Sequence, residues 1–408
     1  MTMEFTIKRL GHQGDGIADG PVYVPRSLPG EVVTGTHAGD SLTDIRIVTP
    51  SSDRVQPPCR HYKSCGGCQL QHASDAFVAD WKQQVVSAAL SAQGLSAPMR
   101  PIVTSPPRSR RRAVISVRRT KKGALAGFHG RASDVITQIP ECQLLDPRAL
   151  DGLAISEALA VLGASRKGEL AVTLTLSGAG LDVAASGGKP LDGPLRVSLA
   201  QAAEQHQLAR LAWGDEVIAL REAPFQHFGS ARVVPPPGAF LQATKHGETA
   251  LLNAVREVAE GASHIVDLFA GCGTFSLPLA QAAEVMAIEG DRDMVAALDQ
   301  GWRQADGLKR VDAVTRDLFR RPLMPDELAR FDMALLDPPR AGAEAQIAEL
   351  AQSDLARIAC VSCNPVTFAR DARRLVDAGF DLQWVQVVDQ FRWSAHVELA
   401  AAFSRSHI

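Results

Sequence analysis

A cysteine near the end of the chain has the sequence context of a nucleophile. Cys363 follows an apolar run, and Asn364-Pro365 directly after it is typical of the start of a helix. The positive end of a helix dipole favours a thiolate, which is the nucleophilic form of cysteine. A cysteine in such a run is otherwise a common core residue, as expected for Cys360. Cys363 is therefore a candidate for covalent chemistry, with simple burial as the alternative.

A second motif is typical of nucleotide binding. The segment Asp267-Leu-Phe-Ala-Gly-Cys-Gly-Thr274 follows an apolar run, and Glu289 ends the next one. Gly271 and Gly273 would let the backbone turn tightly and bring a ligand close to amide groups, while an acid about twenty residues later can bind both ribose hydroxyls. Because the third glycine of a dinucleotide fingerprint is absent, the motif favours S-adenosylmethionine, which has no pyrophosphate. The alternative is a glycine turn that only packs a helix on a sheet.

The elements around these motifs predict an α/β fold in the last part of the chain. From Pro235 onward, short apolar runs alternate with helical patterns, which indicates a parallel sheet covered by helices on both faces. Ligands of such sheets bind at the carboxyl ends of the strands. Asp317, Asp337 and Cys363 each follow a predicted strand, so we expect them to share one site, although Asp-Pro is also a common strand-ending turn.

The first part of the chain has a different pattern of apolar and polar residues. Residues 1 to about 50 contain several short alternating runs separated by glycine turns and no helical pattern, which predicts a small barrel of the oligonucleotide-binding kind. The sequence therefore divides into a barrel at 1–52, a mixed α+β central domain at 53–235 and an α/β domain at 236–408.

Composition excludes a disordered chain, and charge distribution suggests an anionic partner. Of the 408 residues, 46% are hydrophobic and 22% charged, and no apolar run is long enough to span a membrane, so we expect a cytoplasmic protein. The net charge is −2, but residues 100–131 hold ten basic and no acidic side chains, which leaves −12 for the rest. This segment predicts a phosphate-binding face, with an ordinary solvated surface as the alternative. Its candidate side chains are Arg108, Arg110, Arg111, Arg112, Arg118, Arg119, Lys121 and Lys122.

The order of the motifs along the chain resembles that of the RNA uracil-5 methyltransferases. The chain is more closely similar to the iron-sulfur 23S rRNA members, which begin with a small TRAM barrel. The resemblance implies a class I S-adenosylmethionine-dependent methyltransferase (Rossmann-like) domain, an OB-like TRAM barrel and a central domain with a 4Fe-4S cluster. The matching motifs are Cys59-x5-Cys65-Gly-Gly-Cys68, Cys142, Phe240-x-Gln242, Asp267-Leu-Phe, Asp337-Pro-Pro-Arg-Ala-Gly, Ser362-Cys-Asn-Pro and His396-Val-Glu398.

This resemblance implies a role for each site residue. In the family, a thiolate adds to C6 of uracil so that C5 can accept a methyl group, and a general base then removes the C5 proton. Cys363 matches the nucleophile and Glu398 the base, while Asp389 and Arg340 match positions near the base and near the uracil or phosphate. The residues that match the methyl-donor pocket are Gln242, Phe269, Thr274, Glu289, Asp317 and Asp337.

The early cysteines match a metal site. Cys59, Cys65, Cys68 and Cys142 match the four thiolate ligands of a 4Fe-4S cluster in the family. Spacing alone does not separate such a cluster from structural zinc, since both take four thiolates. The resemblance favours iron-sulfur in a structural or RNA-contacting role.

The chain departs from the family pattern at two places, and other functions stay open. Thr244 replaces a common Asn after Gln242, and Phe391-Arg-Trp-Ser394 replaces Phe-Pro-x-Thr, which bears on the choice of uridine. The expected partner of this monomer is RNA, either 23S rRNA or the T-loop of tRNA. When the target base turns out of the RNA stack, an aromatic side chain would take its place. The candidates are Phe128, His129 and Trp393. Two alternative functions belong to other classes: a small-molecule methyltransferase and a non-catalytic metal-containing RNA-binding protein.

Overall fold

The chain begins with a small closed barrel, as the sequence predicts. The computed structural model describes residues 3–405. Gly16 passes so close to the opposite wall that an added Cβ would lie 2.0 Å from Ser27 Oγ, so only glycine fits there. Five strands close in the order β1-β2-β3-β5-β4: β1 (Glu4–Leu10), β2 (Gly16–Ala18), β3 (Val22–Val24), β4 (Val32–Ala38) and β5 (Ser41–Thr49).

The next helix and strand belong to the carboxyl-terminal sheet. Helix α1 (Asp75–Ala92) begins at Ser74, whose side chain caps the first turn, and is followed by β6 (Met99–Thr104). Val86 and Leu90 of α1 are buried in the carboxyl-terminal core. The sequence placed this segment in the central domain, but β6 and the second half of α1 instead pack on partners from the other end of the chain. The first half of α1 packs beside the barrel through Val78 and Trp81.

The central domain is built on one seven-stranded sheet, with two helices packed on it around Leu159 and Leu199. The elements are β7 (Arg112–Arg119), β8 (Ala124–His129), β9 (Ile136–Gln138), α2 (Pro147–Leu150), α3 (Gly152–Gly163), β10 (Leu170–Ser177), β11 (Gly180–Ser186), α4 (Gly193–Gln205), β12 (Arg210–Trp213) and β13 (Glu216–Leu220), with a separate hairpin of β14 (Gln226–Phe228) and β15 (Ala231–Val233). The sheet has the order β13-β12-β11-β10-β7-β8-β9, and α3 and α4 are the two helices that pack on it. A tight turn at Lys121-Lys122-Gly123 joins β7 to β8.

The remaining chain forms the predicted α/β domain. Its elements are α5 (Lys245–Val258), β16 (His264–Leu268), α6 (Ser276–Leu279), β17 (Glu284–Glu289), α7 (Arg292–Arg303), β18 (Val311–Thr315), α8 (Pro325–Leu328), β19 (Met333–Leu336), α9 (Glu344–Gln352), β20 (Arg357–Ser362), α10 (Pro365–Asp377), β21 (Asp381–Asp389) and β22 (Leu399–Ser404). The eight-stranded sheet has the order β18-β17-β16-β19-β20-β22-β21-β6. The first five strands are parallel, β22 is antiparallel to both neighbours, and β6 is parallel to β21.

Helices cover both faces of this sheet. One core contains Leu251 of α5, Leu277 of α6 and Leu298 of α7. The opposite core contains residues of α1, α9 and α10, among them Ile347 and Leu375. Among residues 3–405, no helix combines the length and apolar character needed to cross a membrane.

The basic side chains of residues 100–131 are divided between internal contacts and the surface, so the phosphate-binding face stays a prediction. Arg111 is buried and pairs with Glu248, and its Nε donates to the carbonyl of Gln242. The same segment supplies other internal contacts: Arg110 with the carbonyl of Arg112, Arg112 with the carbonyls of Gly238 and Ala239, Arg118 with Glu169, Arg119 with the carbonyl of Ala164, and Arg131 with Asp15. A guanidinium carries several fixed donors, and here they satisfy protein acceptors. Lys121 and Lys122 remain exposed, as does Arg108, which bonds Gln143.

A buried ion pair joins α1 to the end of β21. Lys82 Nζ lies 2.6 Å from Asp389 Oδ1, and both side chains are almost fully shielded from water. Lys82 also donates to the carbonyl of Phe391 at 3.1 Å. Burial lowers the pKa of Lys82, and the charge of Asp389 opposes that shift. Asp389, which the family pattern places near the general base, therefore holds α1 to the sheet.

Replacement of Lys82 tests the contribution of this pair. We expect Lys82→Met to lower the free energy of unfolding by about 3–5 kcal/mol, because Asp389 would stay buried without its cation. Urea denaturation measures the change. Lys121→Met, in an exposed turn, is the control, and Lys82→Met combined with Asp389→Leu should recover part of the loss. A single variant as stable as the control would contradict this account.

Candidate active site

One cavity of about 640 Å³ lies at the carboxyl ends of the parallel strands. Every residue that the sequence assigned to catalysis or to the methyl donor lines it: Gln242, Phe269, Thr274, Glu289, Asp317, Asp337, Cys363 and Glu398. Residues far apart in sequence meet here because parallel strands end at the same edge of a sheet.

The glycine motif after β16 forms one wall of the cavity. Gly271 and Gly273 both have positive φ, and so does Phe269, with φ of 67°. Glu289, at the end of β17, accepts a hydrogen bond from the amide of Gly271 at 3.0 Å. The glycines thus make the tight turn expected from the sequence, and Glu289 lies against it.

Two aromatic side chains and two acids add to the same wall. The rings of Phe269 and Phe319 are tilted, with centroids 5.5 Å apart. Asp317, two residues after β18, accepts from the amide of Phe319 at 3.0 Å. Asp337 follows β19, and its pKa is raised to about 7 by burial and by the nearby Asp267 and Glu289 carboxylates. This set of acids suits a ligand that carries hydroxyl groups and a positive charge.

Cys363 lies at the junction of β20 and α10. The side chain of Asn364 caps α10 by accepting from Val366, and its Nδ2 donates to the carbonyl of Arg340 at 2.9 Å. The expected helix start is therefore confirmed. The expected lowering of the thiol pKa is not: burial and the Glu398 and Asp337 carboxylates raise the pKa of Cys363 to about 11, against a smaller opposing effect of Arg340.

Glu398 is a buried carboxyl immediately before β22. Burial and the charge of Asp337 raise its pKa to about 8, while a hydrogen bond from Gln390 opposes the shift. Gln390 Nε2 lies 3.0 Å from Glu398 Oε2 and 2.6 Å from Gln242 Oε1. Gln242 Nε2 in turn lies 3.2 Å from Asp337 Oδ2. Two amide side chains therefore connect the two acids.

Sequence reasoning missed Gln390. Its orientation is fixed at the other end, because its Oε1 accepts from the amide of Ala243 at 2.8 Å. The available signal was weak: an uncharged polar residue beside Asp389 in the segment that leads to Glu398. Nothing in a single sequence shows that this side chain turns toward Gln242, 148 positions earlier.

The two departures from the family pattern have structural roles. Thr244 caps α5 by accepting from Gly247 at 2.8 Å, and it also bonds Ser105. Ser394 is buried and accepts from the amide of His396 at 3.0 Å. Trp393 is also buried and packs into the core of the central domain, so the prediction that it stacks in place of the target base is wrong.

A second, open cavity of about 1060 Å³ meets the first at Cys363. Arg340, Cys363 and His396 line both cavities. The barrel contributes Arg9 and His12 to the open cavity, and the central domain contributes Phe128 and His129. The cysteine is therefore reached from two sides, of which one is broad and lined by all three parts of the chain.

The four early cysteines line a small cavity of their own. Three of them, Cys59, Cys65 and Cys68, lie in the segment 59–72, which we call the cysteine loop, and Cys142 follows β9. All four are free thiols. Burial raises the pKa of Cys65, Cys68 and Cys142, and the neighbouring thiols add to the shift. Within residues 3–405, no three His, Cys, Asp or Glu side chains are arranged to hold one metal ion, so the arrangement alone does not support the predicted 4Fe-4S cluster.

Comparison with known proteins connects this site to a family. Residues 235–406 match the family described as tRNA (uracil-5-)-methyltransferase. An uncharacterized RNA methyltransferase of Brucella suis is 41% identical over 99% of this chain and 98% of its own length, and one of Mesorhizobium japonicum is 42% identical over the same shares. The 23S rRNA (uracil(1939)-C(5))-methyltransferase of Chromohalobacter salexigens is 32% identical over 98% of this chain and 89% of its own length.

A solved structure shows the same fold. The Pyrococcus abyssi tRNA (uracil-54, C5)-methyltransferase in complex with S-adenosyl-L-homocysteine superposes with a TM-score of 0.76 at 21% identity, and the match covers 98% of this chain and 99% of that one. It extends over the barrel, the central domain and the α/β domain. This match concerns the fold, and the relatives of 32–42% identity establish the family. The chain belongs to the RNA uracil-5 methyltransferase family.

Proposed function

We propose that this protein transfers a methyl group from S-adenosylmethionine to C5 of a specific uridine in 23S rRNA, through a covalent adduct between Cys363 and C6. The observation that carries the proposal is the position of Cys363, which lies where the acid-lined cavity meets the open one. A methyl donor in the first cavity and a base from the second would meet at its sulfur. Glu398, which also lines the first cavity, is then the base that completes the reaction.

The donor side fits S-adenosylmethionine. This cofactor supplies an electrophilic methyl group on a positively charged sulfur. Glu289, which lines the cavity beside the glycine turn, would bind the ribose hydroxyls, and Asp337 is a carboxyl whose pKa is raised by burial and by other acids. A cation bound beside Asp337 would favour its ionised form and weaken the repulsion that raises the pKa of Cys363. The carboxyls that line the cavity therefore suit a ligand that carries both hydroxyl groups and a positive charge.

The two catalytic side chains act in sequence. The Cys363 thiolate forms a bond to C6, and the electron pair of the C5–C6 double bond then forms a bond from C5 to the methyl group. The bond between the methyl group and the donor sulfur breaks, and its electron pair stays on that sulfur as a neutral thioether. The Glu398 carboxylate then takes the proton from C5. The electrons of that C–H bond re-form the double bond, and the bond between Cys363 and C6 breaks. Gln390 holds the Glu398 carboxyl during these steps through their 3.0 Å hydrogen bond.

The open cavity supports an RNA substrate. A base inside a folded RNA must turn out of its stack before C6 can reach a thiol, at a cost of roughly a few kcal/mol. The open cavity, with Arg9, Arg131 and Arg340 in its lining, supplies space and positive charge for the nucleotides around such a base. A small-molecule substrate would need neither this breadth nor the barrel at its rim.

Replacement of Cys363 and Glu398 separates the two halves of the mechanism. Cys363→Ala should abolish both adduct formation and methylation, because no other nucleophile replaces the thiol. Glu398→Gln should accumulate a protein-RNA adduct that survives denaturing electrophoresis, because the C5 proton cannot leave. Cys360→Ala, in the strand before Cys363, is the control and should retain methylation. Normal turnover by Cys363→Ala would exclude the covalent mechanism.

The choice of RNA is tested by mapping 5-methyluridine. The relative from Chromohalobacter salexigens supports 23S rRNA, whereas the names of the matching family and of the Pyrococcus abyssi protein favour tRNA as the second candidate. Deletion of the gene should remove 5-methyluridine from a 23S rRNA position, as measured by mass spectrometry of RNA fragments. Re-expression should restore it, and the Cys363→Ala protein should not. Loss from the tRNA T-loop alone would establish the second candidate instead.

A 4Fe-4S cluster at the four cysteines is also part of the proposal. The four thiols line one cavity, which is the donor set such a cluster takes. In a cluster each thiolate binds a different iron, so its sulfurs stand farther apart than around one zinc ion. Gly66 and Gly67 allow the close turn, since an added Cβ at Gly66 would lie 2.8 Å from the carbonyl of His129.

Anaerobic purification tests the cluster. The protein should be brown and contain iron and sulfide in equal amounts, and Cys65→Ser should lose both because one ligand is removed. Cys272→Ala, in the α/β domain, is the control that should retain them. Zinc in the place of iron would reject the cluster.

A further inference from the structure

The segment that carries Glu398 has little regular structure of its own. Residues 390–398, which we call the base loop, connect β21 to β22 and include Gln390 and His396. Trp393, in its middle, has a φ of 61°, a left-handed conformation that costs free energy in a residue with a side chain. Such a conformation persists only where surrounding contacts determine it.

The cysteine loop supplies those contacts through its backbone. The amides of Gln69 and Leu70 both donate to the carbonyl of Trp393, at 2.8 and 2.9 Å. The side chain of Gln69 adds a third bond, because its Oε1 accepts from the amide of Ala395 at 3.3 Å. Its Nε2 donates to the carbonyl of Gly66 at 2.8 Å, between Cys65 and Cys68. The side chain of Gln69 thus bonds the backbone between Cys65 and Cys68 through its nitrogen and the base loop through its oxygen.

Packing joins the same two segments. The Trp393 ring is buried in the core of the central domain, against which Cys65 and Cys68 also pack. Its Nε1 donates to Asp75 at the start of α1. Seven positions later on α1, Lys82 holds Asp389, the residue directly before the base loop. The base loop is therefore fixed at its beginning and its middle by residues 69–82.

Cys363 does not depend on these contacts. It lies between β20 and α10, and Asn364 fixes this junction through the capping bond to Val366 and the bond to the carbonyl of Arg340. A change in the cysteine loop should then displace Glu398 while the nucleophile keeps its position.

We propose that Gln69 is a positioning residue, through which the cysteine loop holds the base loop in the conformation that Glu398 needs. The inference rests on the proposed function of Glu398. It gives the cysteines a role in the second half of the reaction: the cysteine loop governs proton removal and RNA release, whereas adduct formation depends on Cys363.

Hydrogen exchange of the protein without RNA tests the contact itself. Gln69→Ala should accelerate exchange in residues 389–398 by about five- to tenfold, the effect of losing one hydrogen bond, because the Ala395 amide loses its acceptor. Gln69→Leu, which keeps the side-chain volume, should do the same. Gln138→Ala, an exposed glutamine on β9, should leave this segment unchanged. Unchanged exchange in both Gln69 variants would overturn the proposal.

Single-turnover kinetics then test its consequence. With an RNA substrate, Gln69→Ala should form the covalent adduct at nearly the wild-type rate and resolve it about tenfold more slowly, as one misplaced catalytic group would cause. Equal slowing of both steps would mean that the cysteine loop places the RNA rather than the base, and would overturn the proposal. If the wild-type protein forms no adduct, the proposed function fails, and the exchange experiment still decides whether the contact exists.

Discussion

The site is organised around carboxyls that lie close to one another and largely away from water. Glu398 is buried and Asp337 is partly buried, and burial raises the pKa of each. Asp267 and Glu289 add to the shift at Asp337, and Asp337 adds to the shift at Glu398. A buried carboxyl needs partners that satisfy its oxygens, or it costs stability. Gln242 and Gln390 provide them as a chain of amides between the two acids. Each amide donates to a carboxyl and so favours its ionised form, but an uncharged donor does so less strongly than a cation would.

The central domain is part of this constraint. Arg111 donates to the carbonyl of Gln242 and pairs with Glu248 on α5. Arg112 bonds the carbonyls of Gly238 and Ala239, just before the segment that carries Gln242. The basic segment thus fixes the backbone that presents Gln242 to Asp337. Several of its charges serve the interior of the protein, whereas Arg131, at its end, lines the open cavity together with Arg9 and Arg340.

The parts that sequence could predict are those fixed by local chemistry. Gly271 and Gly273 permit a turn with positive φ that other residues resist, so the sequence located the turn after β16. Asn364-Pro365 is typical of a helix start, so the sequence also located Cys363 at the end of a strand. The partner of a long side chain could not, because it is decided by tertiary packing. Arg111 and Lys82 show this most clearly: a basic side chain looks solvated in sequence until Glu248 or Asp389 is brought beside it. The pKa of Cys363 depends in the same way on Glu398 and Asp337, which no local pattern reveals.

The position of β6 has a consequence for the synthesis of the chain. Its partner strand, β21, is synthesised near the end of translation, and Lys82 precedes its partner Asp389 by 307 positions. The barrel and the central sheet can close from residues already translated, since their strands lie near one another in sequence. The second half of α1, with Val86 and Leu90, and the open edge of β6 stay uncovered through most of translation. Residues 86–104 are therefore a segment of the nascent chain that needs protection from aggregation.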